Sequence, residues 1–219
     1  MTFCLDSVQI KPEKNKEIEN AIILLHGYGG DGNDISMLSL NWKRHLPNTI
    51  FICPNGPEKC LINPSGYQWF DLTRENSKYI LEESKKSEEK LKDFIDQVKK
   101  EYNLLNKNIC LSGFSQGCMM SINLGLTSDD EYTCIVGFSG KIIDEKDLKS
   151  RKKISANILL THGENDEIVS PNFMLAAKDF FIRNNINNET HLIKNCGHHI
   201  PVEASSIALN YISKKFNNS

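Results

Sequence analysis

No apolar run in this chain approaches the ~20 residues that a membrane-spanning helix needs, so stable membrane insertion is not expected. An excess of charge of one sign is missing too. The 26 Lys and Arg residues stand against 28 Asp and Glu, a formal net charge of −2, and nothing draws the chain to nucleic acid or an anionic membrane. The opening residues, Met1 to Val8, meet an acidic side chain too soon for a signal peptide. Seven cysteines are an odd number without framework spacing, which argues against a disulfide scaffold and for a reduced, cytoplasmic protein. No His or Cys pair has zinc-site spacing, so no metal is expected. Repeats and low-complexity linkers are also lacking, and 219 residues suit one domain spanning 1–219.

What is present is an alternation of short apolar runs with longer helix-period segments. Runs of this kind at 21–25, 49–53, 108–112, 133–138, 157–161 and 190–194 read as strands, with one more within 2–10. They lack polar alternation, as strands covered on both faces do. Leu91, Phe94, Ile95, Val98 and Tyr102 form an amphipathic stripe between Ser87 and Asn103. Pro171 and Pro201 open two further helices, the first with Phe173, Ala176, Ala177 and Phe180 facing inward. The fold class implied is α/β, a mostly parallel sheet with helices on both faces. The stretch 54–87 is different. Rich in proline and glycine and carrying Leu61, Ile62, Tyr67 and Trp69, it is where a substrate-covering loop would be built. Trp69 either faces substrate there or plugs the core.

The chemistry centres on residues 109–120. An apolar strand-like run passes through Gly113-Phe114-Ser115-Gln116-Gly117 into a second apolar stretch, which reads as strand, sharp turn and helix with Ser115 at the apex. Glycines two residues to either side let strand and helix approach without a Cβ clash, and a helix starting after the serine brings backbone N–H groups to a developing oxyanion. In this fold the partners follow in the order Ser, Asp/Glu, His. Asp166 lies just past a strand and a glycine turn, with Glu164 and Glu167 as alternatives. His198 and His199 occupy the loop before the last helix, and only one of them can reach Ser115. Gly197 favours His198. His26 and His162, beside glycines at strand ends, read as loop-ordering groups, whereas His45 and His191 belong to a helix surface and a strand. Two oxyanion amides are needed. Gln116 supplies one and Tyr28, in the glycine-rich loop 27–30, the other. No Gly-Lys-Ser/Thr completes a phosphate loop there, so nucleotide binding is not expected.

Five stretches together resemble the phospholipase/carboxylesterase family of α/β-hydrolases, which includes acyl-protein thioesterases. They are residues 25–29, 54–57, 69–71, 113–117, and the pair 163–166 with 197–198, in family order across nearly the whole chain. The resemblance implies an α/β-hydrolase fold, a triad of Ser115, Asp166 and His198, oxyanion amides from Tyr28 and Gln116, and no metal or organic cofactor. It implies hydrolysis of carboxylic esters, with lysophospholipid or S-acyl thioester cleavage as the alternative, and a homodimer as one assembly. Leu61, Ile62, Trp69 and Val169 are the substrate-binding candidates. Two departures stand out: Tyr28 replaces the commoner leucine, and 59–65 does not match the family closely. A non-catalytic binding protein on the same fold is the other class of reading, and it usually lacks a triad member.

Overall fold

The computed structural model describes residues 3–218. Seven strands form one sheet in the order β1-β3-β2-β6-β7-β8-β9, where β1 is Ser7–Ile10, β2 Asn20–Leu25, β3 Thr49–Pro54, β6 Ile109–Phe114, β7 Cys134–Phe138, β8 Asn157–Gly163 and β9 Asn187–Ile193. Only the edge strand β1 runs antiparallel to its neighbour. A two-residue ribbon, β4 (Glu58–Lys59) with β5 (Tyr67–Gln68), stands outside the sheet. Each strand read from the sequence lies within three residues of an observed one, and the N-terminal strand is β1; Thr2, in its expected range, lies outside the described residues.

Side chains of the central strands alternate between two buried layers, as the twofold period of a strand requires. Ala21, Ile23 and Leu25 of β2 join one core cluster with Leu91, Phe94 and Met120, while Ile22 and Leu24 join another with Trp42, Ala208 and Tyr211. Helices α1 (Gly32–Trp42) and α6 (Val202–Phe216) therefore cover one face. The other carries α2 (Ser77–Tyr102), α3 (Gln116–Thr127), α4 (Glu145–Arg151) and α5 (Asn172–Arg183). The chain leaves β2 toward β3 on one side, then returns to place β6 on the other. The carboxyl ends of β2 and β6 thus flank the point where strand order reverses, the crevice in which open α/β sheets bind ligands.

Two helix readings are corrected. α2 begins at Ser77, capped by the Asn76 side chain accepting from the Tyr79 N–H at 3.0 Å, and not near Ser87. Its first turns carry Tyr79, Ile80 and Leu81 in a row and not at helical spacing, so no period shows there, and the irregular excursion after β3 ends about ten residues earlier than expected. In α5 the buried stripe is Met174, Ala177, Phe180 and Phe181, and both Phe173 and Ala176, expected inward, are turned outward. Pro171 sits at the N-cap, before the helix proper, which moves the inward face by one position.

Candidate active site

The β6–α3 turn leaves almost no steric freedom. Ser115 is held at φ 52° and ψ −114°, a region costly for a residue with a Cβ. Its N–H donates to the Phe138 carbonyl at 2.8 Å. A Cβ on Gly113 would lie 2.3 Å from the Gly117 backbone, and one on Gly117 would lie 2.2 Å from the Leu25 carbonyl oxygen. Both glycines are therefore dictated by backbone touching backbone.

Ser115 Oγ lies 3.0 Å from His198 Nε2, and His198 Nδ1 lies 2.7 Å from Asp166 Oδ2. The carboxylate can only accept, so the imidazole proton resides on Nδ1 and Nε2 is left to take the hydroxyl proton. The loop after β8 fixes Asp166: the Ile168 and Val169 N–H groups donate to Oδ1 at 3.0 and 2.8 Å. Burial pushes the Asp166 pKa up. The His198 hydrogen bond and the two loop amides more than offset this, and the net shift is down, favouring the anion. Asp166 has a second imidazole neighbour, with His162 Nε2 at 3.2 Å from Oδ2 and 2.7 Å from the Val169 carbonyl. Since both partners accept, His162 Nε2 carries the hydrogen and ties the carboxylate to its own loop.

His199 turns the other way, its Nε2 lying 3.7 Å from Cys196 Sγ. Glu164 and Glu167 stay at the surface. His26 orders its loop as expected: Nδ1 lies 2.7 Å from the Gly27 carbonyl and Nε2 accepts from the Gly56 N–H at 2.8 Å.

As the first residue of α3, Gln116 has an N–H with no acceptor inside the helix. Opposite it, Gly29 N–H donates to Tyr67 O at 2.9 Å and Gly30 N–H to Gly27 O at 3.1 Å, while the Tyr28 N–H meets no acceptor among the described residues. Residues 27–32 do spell Gly-x-Gly-x-x-Gly between a strand and a helix. Yet Gly32 N–H is taken by Asn55 Oδ1 at 2.8 Å, and with Gly29 and Gly30 also engaged the loop has no set of free amides for a pyrophosphate. Burial, together with the nearby Cys60 thiol, pushes the Tyr28 hydroxyl up to about 12, so it is a neutral phenol against the loop.

Trp69 is the clearest departure from the substrate-binding set. It is 0 % exposed, its Nε1 donates to the His26 carbonyl at 3.0 Å, and its ring packs 5.4 Å from that of His26. It plugs the core and lines neither cavity near Ser115. Leu61 and Ile62 are exposed at the ribbon tip, also away from both cavities, because the chain turns back at Gly66 before reaching the serine. Val169 does line the cavity that holds Ser115. That cavity, of about 410 Å³, is walled by Phe70, Ile80, Met119, Ile143 and Phe173 as well. None of these five was legible as pocket lining, since each looks like ordinary core in one dimension. The Gln116 side chain was missed too. Its Oε1 accepts from the Trp69 N–H at 2.8 Å and its Nε2 donates to the Phe70 carbonyl at 2.7 Å, clasping the excursion to the elbow.

A mostly parallel sheet of this order, with a serine on a strained strand-to-helix turn at its switch point, is the fold of an α/β-hydrolase. The family model described as Phospholipase/Carboxylesterase matches residues 6–216, and the chain belongs to that family of carboxylic ester hydrolases. It is similar to acyl-protein thioesterase 1 of Schizosaccharomyces pombe, 29% identical over 198 residues, which cover 85% of this chain and 84% of that one. It is also similar to acyl-protein thioesterase 1 homolog 1 of Dictyostelium discoideum, at 24% over 201 residues, or 88% and 89% of the two chains. Among solved structures, esterase PE8 has a TM-score of 0.91 at 29% identity, covering 96% of this chain and 98% of that one. The Bacillus cereus carboxylesterase, at 20% identity and a TM-score of 0.78 over 97% and 95%, shares the fold. No helix among the described residues is long and apolar enough to cross a membrane.

Proposed function

We propose that the protein hydrolyses carboxylic esters through an acyl-enzyme on Ser115, the whole chain acting as one catalytic domain. The observation that carries this reading is the unbroken line of contacts from Asp166 through His198 to Ser115, at 2.7 and 3.0 Å. His198 Nε2 takes the hydroxyl proton as Ser115 Oγ attacks the acyl carbon, while the Asp166 carboxylate holds the imidazole and stabilises its charged form. The Tyr28 and Gln116 amides receive the oxyanion. His198 then returns the proton to the departing alcohol, and water releases the acyl group by the same route in reverse.

The ~410 Å³ cavity beside Ser115, with its apolar walls, supports an acyl chain as the part of the substrate held there. This feature also favours the second reading, cleavage of S-acyl thioesters on proteins or of the acyl ester of lysophospholipids, and the names of the relatives favour the thioester. Comparing short and long acyl esters with a palmitoylated peptide separates the two. Seven free thiols, six of them buried, support action in a reducing compartment.

A fluorophosphonate probe should label Ser115, and Ser115→Ala should lower kcat by several orders of magnitude, on the order of 10⁶ in a serine-protease precedent. Near wild-type esterase activity in Ser115→Ala would remove the proposal.

A further inference from the structure

A second and larger cavity, of about 840 Å³, runs between α1 and α6. It shares Gly27, Tyr28, Phe114 and His198 with the smaller one, so the two meet at the imidazole. Only the smaller cavity touches Ser115, Gln116 and Met119. The larger has His198 in its wall without the nucleophile, and its other walls include Met37, Leu38, Leu40, Val202 and Leu209. Met37, Leu40 and Val202 are 61 %, 64 % and 82 % exposed, a concentration of apolar surface that the fold does not use.

Resting on the function proposed above, we propose that the α1–α6 groove is the leaving-group subsite, and that it takes an apolar alcohol or thiol of several carbons or more. The reaction supplies the direction. As the Ser115 Oγ–acyl carbon bond forms and the carbon–oxygen or carbon–sulfur bond breaks, the electron pair goes to the departing heteroatom. That atom takes its proton from His198 Nε2, the proton that Ser115 Oγ gave up. The acyl carbon stays with Ser115 and its oxygen with the Tyr28 and Gln116 amides, which commits the acyl chain to the smaller cavity. The departing half must leave past the imidazole, and the space bordering the imidazole but not the serine is the α1–α6 groove. Phe114, its ring 4.8 Å from that of His198, belongs to both walls and stands at the junction.

The test is a series of ethyl, butyl and hexyl acetates, in which the acyl half is minimal and the leaving group's acidity nearly constant. Wild-type kcat/KM should rise about two- to fourfold per methylene as the chain fills the groove. In Leu40→Glu/Val202→Glu the hexyl-to-ethyl ratio should fall about tenfold or more, while the ratio of ethyl hexanoate to ethyl acetate keeps its wild-type value. Both positions are exposed, so the change leaves packing intact, and circular dichroism checks the fold. Hydrolysis of all three acetates at one rate overturns the subsite and leaves the esterase standing. An acyl-length ratio that moves with the alcohol ratio overturns it as well, since the groove would then serve the acyl chain. Sedimentation showing a wild-type dimer and a monomeric double variant would assign the groove to a second copy of the chain. With neither acetate hydrolysis nor fluorophosphonate labelling of Ser115, it is the hydrolase reading that fails.

Discussion

The floor of the proposed active centre and the α1–α6 groove, called the rim below, are built on opposite terms. On the floor, backbone meets backbone: β6, α3 and the end of β2 approach so closely that two glycines exclude even a methyl group. On the rim, side chains such as Leu40 and Val202 stand in solvent with nothing packed over them. The contrast teaches where a fold of this kind keeps its chemistry and where it leaves room for substrate. Atoms that must lie within a fraction of an ångström of the reacting carbonyl are positioned by main chain, whereas the surface that meets the variable part of a substrate is left to exchangeable side chains.

The widest gap between the two regions should appear on adding one carbon to the floor. Gly117→Ala sets a Cβ against the Leu25 carbonyl oxygen, and neither backbone can retreat. Chemical denaturation should register a loss of about 3 kcal/mol or more. Val202→Glu on the rim, the control, should stay within ~0.5 kcal/mol. Equal losses would abolish the distinction.

Gln116→Ala should come next. It leaves the buried Trp69 N–H and Phe70 carbonyl without partners, and the cost should be ~2 kcal/mol or more. Gln116→Glu keeps an acceptor for Trp69 but gives up the donor to Phe70, so its stability should fall between wild type and Gln116→Ala. A Gln116→Glu variant less stable than Gln116→Ala would show that charge burial, not the clasp, dominates here.

The smallest effect is a pH dependence, to which two histidines beside the elbow and its partners contribute. Burial depresses the pKa of His26 and His162 below the ordinary 6.5, against opposing hydrogen bonds to Gly27 and Val169. The unfolded chain then binds protons that the folded chain refuses, so stability falls as pH drops below about 6.5 and levels off below the folded pKa values. Asp166 and Asp71 act in a lower window. Their folded pKa values lie below 3.8, so they add stability above that value and lose it as pH falls through the folded ones. Melting temperature should therefore drop between pH 7 and 5 and again at strongly acidic pH. A flat profile between pH 7 and 5 would mean the two histidines charge freely in the fold.

Legibility in the sequence followed the same division. The elbow could be read because steric necessity leaves a local trace, Gly113 and Gly117 about Ser115, and because buried parallel strands are continuous apolar runs. The partners Asp166 and His198 were open to rival neighbours until family resemblance was added. A carboxylate or imidazole at a strand end looks the same in one dimension whichever way it points, and only the turn to Cys196 separates His199 from His198. Trp69 was ambiguous for a related reason: an aromatic in a long loop packs inward or outward according to partners such as His26, just after β2, that no spacing encodes. The groove had a fainter signal. Met37 and Leu40 fall off the Ile35, Ser39 and Trp42 stripe that α1 buries, a mismatch that becomes informative once the helix is assigned.

The ribbon beside the glycine-rich loop 27–30 has a consequence for how the protein can diversify. Gly29 N–H reaches Tyr67 O at 2.9 Å and Tyr67 N–H reaches Gly30 O at 2.8 Å, while Cys60 N–H closes on Gly66 O at 3.1 Å. Between Cys60 and Gly66 the chain forms a tip that touches the loop once more, where Asn63 Nδ2 donates to the Gly29 carbonyl at 2.7 Å, and beyond that contact Leu61 and Ile62 stand exposed. Since doubling a loop costs only ~0.6 kcal/mol in closure entropy, that exposed end can be lengthened with little strain reaching the amides below it, provided Asn63 is kept. The Leu61–Ile62 end is a natural graft site for an affinity tag or a recruiting peptide.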